Sequence, residues 1–197
     1  MSVLLCLPKW IRRIILGSSQ TVVFNNAKEA ILRSLRNSGG RLTNGGTSLR
    51  NYQMEHFNWT CRPNGGTTEV ILVWHIATTL FHHLEPSPQQ NCNSFKKDQE
   101  VALALSSYCH DLVKYLPELL PDEVDWIEEM YESVTKEILG AIPRSCCQKP
   151  TKKDRCNYVL RATWGESSVV AISTGITYNF TGEISDLFSA DMHLRHL

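Results

Sequence analysis

Residues 70–84 carry the feature that most limits the fold, an apolar repeat at helical spacing. Apolar side chains recur at positions 70, 73, 74, 77, 80, 81 and 84. This spacing aligns them along one side of a helix, and a strand of that length would be unusually long. His75, Thr79 and His82 then fall on the opposite side. The repeat therefore predicts a core-facing helix over 69–85, with Thr67 or Thr68 as its cap.

Two further stretches show helical periodicity. In residues 99–116 the apolar face predicted to pack consists of Val101, Leu105, Tyr108, Leu112, Tyr115 and Leu116. In residues 122–139 the predicted buried residues are Ile127, Met130, Tyr131, Val134 and Ile138. Asp122 and Glu123 are expected in the first turn of that last helix, where the positive end of its dipole favours carboxylates. The fold class predicted is mainly α, a small irregular helical domain with weak β pieces at the termini.

The chain divides by composition into three parts: a basic N-terminal segment (1–50), a helical domain (51–142), and a basic loop with a divergent tail (143–197). Within the first part we expect a helix over 27–35, a glycine-containing loop over 37–50 and a short strand over 21–24. Residues 86–98 are expected to form a linker. In the tail, the alternation of Ile176, Tyr178 and Phe180 suggests a weak hairpin.

The formal net charge is zero, but the charges are distributed unevenly. Residues 1–50 contain eight Lys and Arg against one Glu, whereas residues 122–139 contain seven acidic residues against Lys136. The overall balance gives no electrostatic argument for nucleic-acid binding. An unknown protein partner, or the basic N-terminal third, is instead predicted to meet an acidic face. That face consists of Asp125, Glu128, Glu129 and Glu132. A face that is merely solvated is the alternative.

The N-terminal residues 3–16 form an amphipathic pattern with two interpretations. The first is a helix that caps the core. The second is a peripheral contact with anionic lipid through Lys9, Trp10, Arg12 and Arg13. The longest apolar run, residues 70–81, is too short to cross a membrane. Seven cysteines without a repeating interval favour reduced thiols over a secreted disulfide framework, so a cytoplasmic location is predicted.

The sequence assembles no catalytic, cofactor-binding or metal-binding residues. His75 and His82 would lie roughly 10 Å apart along a helix, too far to share one metal ion. Cys109 and His110 are adjacent, and neighbouring helical side chains project about 100° apart. The spacing of Cys146, Cys147 and Cys156 is not that of a zinc site. The alternative is a Cys/His-dependent hydrolase or metal-dependent enzyme that uses His75, His82, Cys109 or His110.

Two motifs resemble those of a known family. They are Glu-Val-Ile-Leu-Val-Trp-His-Ile-Ala-Thr at 69–78, and Leu105-Ser106, Tyr108, Leu112-Val113 and Leu-Pro-Glu-Leu-Leu-Pro at 105–121. In this order and separation they are similar to the plant family carrying the domain of unknown function 594. The resemblance spans roughly residues 8–140. It implies the cytosolic C-terminal part of membrane proteins that also carry the domain of unknown function 4220, with no assigned activity.

The chain departs from that family in two places. The family's membrane helices are missing, and its C-terminal helical motifs are not recognisable after Cys156. These departures predict a truncated member, and they leave open whether residues 157–197 are native to the domain. The function predicted is that of a non-catalytic interaction or regulatory module. A truncated fragment without a selected role is a further alternative beside the enzyme.

Overall fold

The computed structural model describes residues 12, 14–15, 25–40, 45–51, 53–61, 66–84 and 93–140. Five α-helices occur in these ranges: α1 (Asn25–Asn37), α2 (Gly46–Asn51), α3 (Gly66–Leu84), α4 (Asn93–Tyr115) and α5 (Val124–Gly140). Two 3-10 segments, Glu55–Cys61 and Pro117–Leu119, precede α3 and α5 respectively. No strand is found in these described ranges, so the mainly α prediction is confirmed.

Helix α3 lies at the centre of the molecule and packs against both α4 and α5. The main core cluster contains aliphatic residues of α3, Val113 of α4 and Ile127, Val134 and Ile138 of α5. From α3 it takes Leu72, Val73, Ile76, Ala77 and Leu80. The predicted buried stripe of α3 is thus only partly right. Positions 73, 77 and 80 are buried as expected, but the buried surface also extends to the polar side of the helix.

Helix α4 turns the opposite side to the core from the one predicted. Its buried residues are Leu103, Ser107, His110 and Val113. These positions are offset by two residues from the predicted stripe, a rotation of about 200° at helical geometry. Of that stripe, Tyr108, Tyr115 and Leu116 are exposed, while Val101, Leu105 and Leu112 are half-buried. On the buried side of α4, the ring of His110 stacks on His75 of α3, and Ser106 shares a hydrogen bond with His75.

Helix α5 packs as the sequence predicts. Ile127, Val134 and Ile138 are buried, and Met130 and Tyr131 are partly buried against the same cluster. Met130, Tyr131 and Val134 lie between Ile127 and Ile138 at steps of one, three or four residues. One side of α5 is therefore continuously apolar.

Asp122 caps a different helix from the one expected. Its carboxylate accepts hydrogen bonds from the backbone N–H groups of Thr67 (3.3 Å) and Thr68 (2.6 Å) and from the Thr68 hydroxyl (2.7 Å). The acidic residue therefore satisfies the free donors at the N-terminus of α3, 54 residues earlier in the chain. Helix α5 itself begins where Ile127 N–H donates to the Glu123 carbonyl. The sequence predicts Thr67 or Thr68 as the cap of α3, but both residues donate hydrogen bonds there, and the accepting cap is the Asp122 carboxylate.

Two predicted irregular segments contain helix. Helix α2 overlaps the end of the expected loop 37–50, and α4 begins at Asn93, inside the expected linker 86–98. Leu49 of α2 explains the first difference, since it packs with Phe57 and Cys61 in a second small cluster on which Trp74 of α3 also packs. Helix α1 extends the predicted helix by two residues at each end.

The N-terminal segment contributes to the same core. Ile14 and Ile15 are buried in the main cluster, and the Tyr131 hydroxyl donates a hydrogen bond to the Ile15 carbonyl. These two residues behave as the core-capping interpretation predicts. The proposed strand 21–24, the loop and tail 143–197 with its hairpin, and Cys146, Cys147 and Cys156 lie outside the described residues.

None of the helices in the described ranges combines the length and the apolarity that a membrane-spanning helix requires.

We predict that the Asp122→Ala variant unfolds about 1 kcal/mol more easily than the wild type, because it loses the cap of α3. Burial opposes ionisation of Asp122, but the hydrogen bonds from Thr68 and Thr67 outweigh it and lower the pKa of this carboxyl. A lowered pKa in the folded state stabilises the protein above about pH 4, and that stabilisation is lost as the pH falls through the folded-state pKa. Urea unfolding of wild type and variant at neutral and acidic pH measures both effects. Asp98→Ala, an exposed change on α4 outside its first turn, is the control, and an equal loss there would contradict the assignment.

We also predict that Gly66→Ala destabilises the protein more than Gly40→Ala does. Both glycines have positive φ, +90° and +79°, so each substitution carries a backbone penalty of about 1 kcal/mol. A Cβ at Gly66 would in addition lie 2.6 Å from an oxygen of Asp122, whereas a Cβ at Gly40 meets nothing within 4 Å. Thermal unfolding of the two variants compares the penalties. Equal melting temperatures would show that the close approach to Asp122 has no cost.

Candidate functional site

Two histidines from different helices stack inside the protein. The rings of His75 (α3) and His110 (α4) have centroids 4.4 Å apart and planes inclined by 29°. Each residue is only 1% exposed. The prediction that His75 belongs to an outward side of its helix is therefore wrong, because α4 covers that side. The stacked rings, with the polar side chains beside them, form the histidine layer between α3 and α4.

The histidine layer contains hydroxyl groups from both helices. His75 Nδ1 and Ser106 Oγ are 2.9 Å apart and share a hydrogen bond whose direction depends on the tautomer of the ring. Ser107 and Thr79 are also buried, and their hydroxyl oxygens have no hydrogen-bond partner within the described part of the chain. Buried polar groups without partners cost about 1–3 kcal/mol each. The layer is consequently a weak point of the core.

His110 is held uncharged by its surroundings. Burial, the neighbouring His75 and the positive charge of Lys114 lower its pKa to about 3. Its Nδ1 lies 3.7 Å from Asp111 Oδ1, too far for a hydrogen bond, and neither ring nitrogen has a hydrogen-bond partner among the described residues. Burial raises the pKa of Asp111, while Lys114 opposes that rise. At neutral pH this contact joins a carboxylate to a neutral ring and is not an ion pair.

Helix α5 closes the third side of the layer with an aromatic ring. The ring centroid of Tyr131 lies 5.7 Å from that of His110, and the planes are inclined by 55°. Burial raises the pKa of the Tyr131 phenol to about 12, although a hydrogen bond with Thr135 acts in the opposite direction. The phenol thus stays protonated and donates to the Ile15 carbonyl. The layer is bounded by three helices and by the N-terminal segment.

Cys109 is not activated as a nucleophile. Burial raises the pKa of its thiol, whereas catalytic cysteines act as thiolates and need a lowered pKa. The Cys109 side chain is half-buried whereas the neighbouring His110 is buried, because adjacent residues of a helix point in different directions. A histidine with a pKa of about 3 is, moreover, a poor proton acceptor at neutral pH.

The remaining candidate histidine, His82, lies at the C-terminal end of α3 beside His83. The rings of His82 and His83 contact each other edge to face, with centroids 5.3 Å apart. Across the described ranges, no three His, Cys, Asp or Glu side chains are arranged to hold a metal ion. Of the four residues named for an enzyme, the structure brings His75 and His110 together. Cys109 is the neighbour of His110 in the chain.

The sequence contains polar residues at helical spacing that indicate the histidine layer, on the sides of α3 and α4 away from their apolar repeats. His75 and Thr79 are four residues apart on α3, and Ser107 and His110 are three apart on α4. Each pair lies on one side of its helix, and two polar stripes on neighbouring helices favour a shared buried face. The apolar repeat of α4 lies on the other side of that helix and favours its burial instead.

No protein-family model, curated protein or solved structure matches this chain. Membership of the plant family carrying the domain of unknown function 594 therefore stays a prediction based on the motifs at 69–78 and 105–121. Those motifs occupy most of α3 and the second half of α4 with the following turn, which are the elements that contribute the histidine layer.

We predict that acid destabilises the protein through His110. In the unfolded chain a histidine binds a proton below about pH 6.5, whereas folded His110 does so only near pH 3. The unfolded state then binds more protons between these values, so stability falls as the pH falls, by about 1.4 kcal/mol per pH unit. Urea unfolding between pH 7 and about 4.5 measures this slope, above the range where Asp111 and Asp122 titrate in an unfolded chain.

The His110→Phe variant should show a smaller slope, because it removes the ring that resists protonation while His75 remains. His56→Gln, at an exposed position, is the matched control and should retain the wild-type slope. An unchanged slope in His110→Phe would contradict the role of this ring in acid sensitivity.

Proposed function

We propose that this chain is a non-catalytic interaction module that binds a basic protein partner through the acidic face of α5. The acidic face consists of Asp125, Glu128, Glu129 and Glu132, all exposed. It lies opposite the side of α5 that packs into the core through Ile127, Val134 and Ile138. The helix is thus held in place by one side while the other presents carboxylates to solvent.

The observation that carries the proposal is the lack of compensation within this face. Asp125 and Glu129, like Glu128 and Glu132, are like-charged pairs four residues apart, which cost an isolated helix a few tenths of a kcal/mol each. Glu132 is paired with Lys136 at 3.1 Å, on the surface. No ion pair joins Asp125, Glu128 or Glu129 to another residue of the described ranges. A basic partner would relieve this repulsion.

An external partner explains the acidic face better than the chain's own N-terminal third. The basic residues Lys28, Arg33 and Arg36 of α1 are exposed, and α1 packs against α4. Arg50 of α2 lies 3.6 Å from Glu55, which follows it in the chain. The basic side chains of α1 and α2 therefore point to solvent or to a local partner.

The chemistry of the histidine layer also favours a non-catalytic role. The Cys109 thiol is protonated at neutral pH, and His110 is too weak a base to activate it. Both histidines are buried, so a substrate would have to separate α3 from α4 to reach them. These properties weigh against the Cys/His hydrolase, and the layer is better explained as a packing element.

The apolar side of the N-terminal segment is used in the core, which weighs against its insertion into lipid. Ile14 and Ile15 are buried among residues of α3 and α5, and Arg12 is half-buried. Lys9, Trp10 and Arg13 lie outside the described residues. We place the module in the cytoplasm, on the strength of the unpatterned cysteines. Peripheral contact with a membrane through the basic residues stays the alternative.

The test is affinity capture from an extract of the source organism, comparing the intact chain with the triple variant Glu128→Lys, Glu129→Lys and Glu132→Lys. We expect the wild type to retain basic proteins that the triple variant loses, and expect high salt to release them. The control variant is Glu29→Lys, Asp98→Lys and Glu100→Lys, which makes the same change in net charge at other exposed positions.

The two triple variants separate a local surface from a general charge effect. If both lose the same proteins, only the net charge matters and the acidic face is not the binding surface. Reversal makes the pair at 125 and 129 attractive, leaves positions 128 and 132 like-charged, and replaces the Glu132–Lys136 ion pair by a repulsion, so we expect a loss of stability of no more than a few tenths of a kcal/mol. Circular dichroism and thermal unfolding check this.

A further inference from the structure

Four large apolar side chains are exposed where α4 turns into α5. They are Tyr115 (60% exposed), Leu116 (43%), Leu119 (65%) and Val124 (38%). We call these four residues the corner patch. Exposed apolar side chains are common singly, but a group within ten residues of chain indicates a contact surface.

The corner patch is built on a fixed turn. The Leu119 N–H donates to the Leu116 carbonyl and the Leu120 N–H to the Pro117 carbonyl, both at 3.0 Å. The 3-10 segment Pro117–Leu119 contacts both α4 and α5, so the turn that carries the patch is held by the two helices. After the turn, Asp122 is tied to the N-terminus of α3. A surface that is already ordered loses little conformational entropy when a partner binds.

The surroundings of the corner patch are strongly acidic. Residues 115–135 contain seven carboxylates and neither lysine nor arginine. One of the seven, Asp122, is used as the cap, whereas Glu118 and Glu123 flank the patch and are exposed. Val124 lies one helical turn before Glu128, so the corner patch adjoins the acidic face. At the other border, Lys114 Nζ lies 4.8 Å from the centroid of the Tyr115 ring, which shows that this ring face accepts a cation.

We propose that the corner patch and the adjoining acidic face together dock a basic amphipathic helix of another protein. This inference rests on the proposed function and specifies the class of partner. The apolar side of such a helix would cover Leu116, Leu119 and Val124, while its Lys and Arg residues would meet the carboxylates of Glu118, Glu123 and the acidic face. Helix-in-groove recognition combines apolar anchors at helical spacing with charged borders in this way.

The charge of the surface selects this occupant over two others. An anionic membrane would be repelled by the same carboxylates. A second copy bound in a symmetric dimer would place the two acidic faces against each other, since a two-fold interface uses the same residues on both sides.

The test uses the full chain and two synthetic peptides of about 18 residues made only of Leu and Lys. In the first peptide the two residue types are arranged on opposite sides of a helix; in the second the same residues are shuffled so that no side is apolar. Isothermal titration calorimetry should show that the first peptide binds about tenfold more tightly than the second. Both should weaken as salt is raised, because the carboxylates contribute to each.

Variants then locate the site. The double variant Leu116→Ser and Leu119→Ser should weaken binding of the first peptide about tenfold and leave the second unchanged. Ile31→Ser with Leu32→Ser is the matched control, since these residues are 41% and 51% exposed on α1. It should bind both peptides as the wild type does. Circular dichroism confirms that each variant is folded.

Distinct results overturn the proposal. Equal affinities of the two peptides, both lost in the Glu128→Lys, Glu129→Lys and Glu132→Lys variant, would leave the acidic face as a binding surface and remove the role of the corner patch. No binding of either peptide would contradict the inference and the proposed function together. A dimer in sedimentation that Leu116→Ser with Leu119→Ser dissociates would make the patch an interface between copies of the chain.

Discussion

Helix α3 is covered on its apolar and its polar side, and the arrangement of the other helices follows from this. Its aliphatic residues pack with α5 and with Ile14 and Ile15, while α4 covers His75, and Thr79 on the same side is also buried. Burying the polar side requires a neighbour that brings polar groups, because an apolar surface would leave the imidazole and hydroxyl groups without compensation. Helix α4 provides compensation for one of these groups, through the hydrogen bond that Ser106 shares with His75, and the ring of His110 stacks on His75.

The rotation of α4 about its own axis determines much of the surface. Once the polar side of α4 faces inward, the stripe containing Tyr108 and Tyr115 must face outward, since the two sides are separated by about half a turn. The corner patch is the end of this outward stripe, continued through the turn to Leu119 and Val124. The exposed apolar residues are therefore a consequence of core packing, and they give the protein a surface that differs from an ordinary solvated helix.

The acidic residues near this turn have two different environments. Asp122 satisfies the N-terminal donors of α3, and its hydrogen bonds lower the pKa of the carboxyl. Glu128 and Glu129, in the second turn of α5, are exposed and have no such partner among the described residues. The first carboxylate stabilises the fold, while the others weaken their own helix by mutual repulsion. Only their position relative to α3 distinguishes them, which is why charge composition alone could not separate the two roles.

The sequence by itself determined the type of the three main helices, the approximate limits of α3 and α5, and the buried side of α5, because apolar periodicity depends only on local geometry. It also indicated that the N-terminal residues Ile14 and Ile15 belong to an apolar side suited to the core. Only the tertiary structure decided the rotation of α4, the pairing of His75 with His110 and the capping of α3 by Asp122. Each of these joins residues that are 31 to 55 positions apart, and hydrogen bonding or packing at such separations depends on where whole helices lie, which a local pattern does not specify.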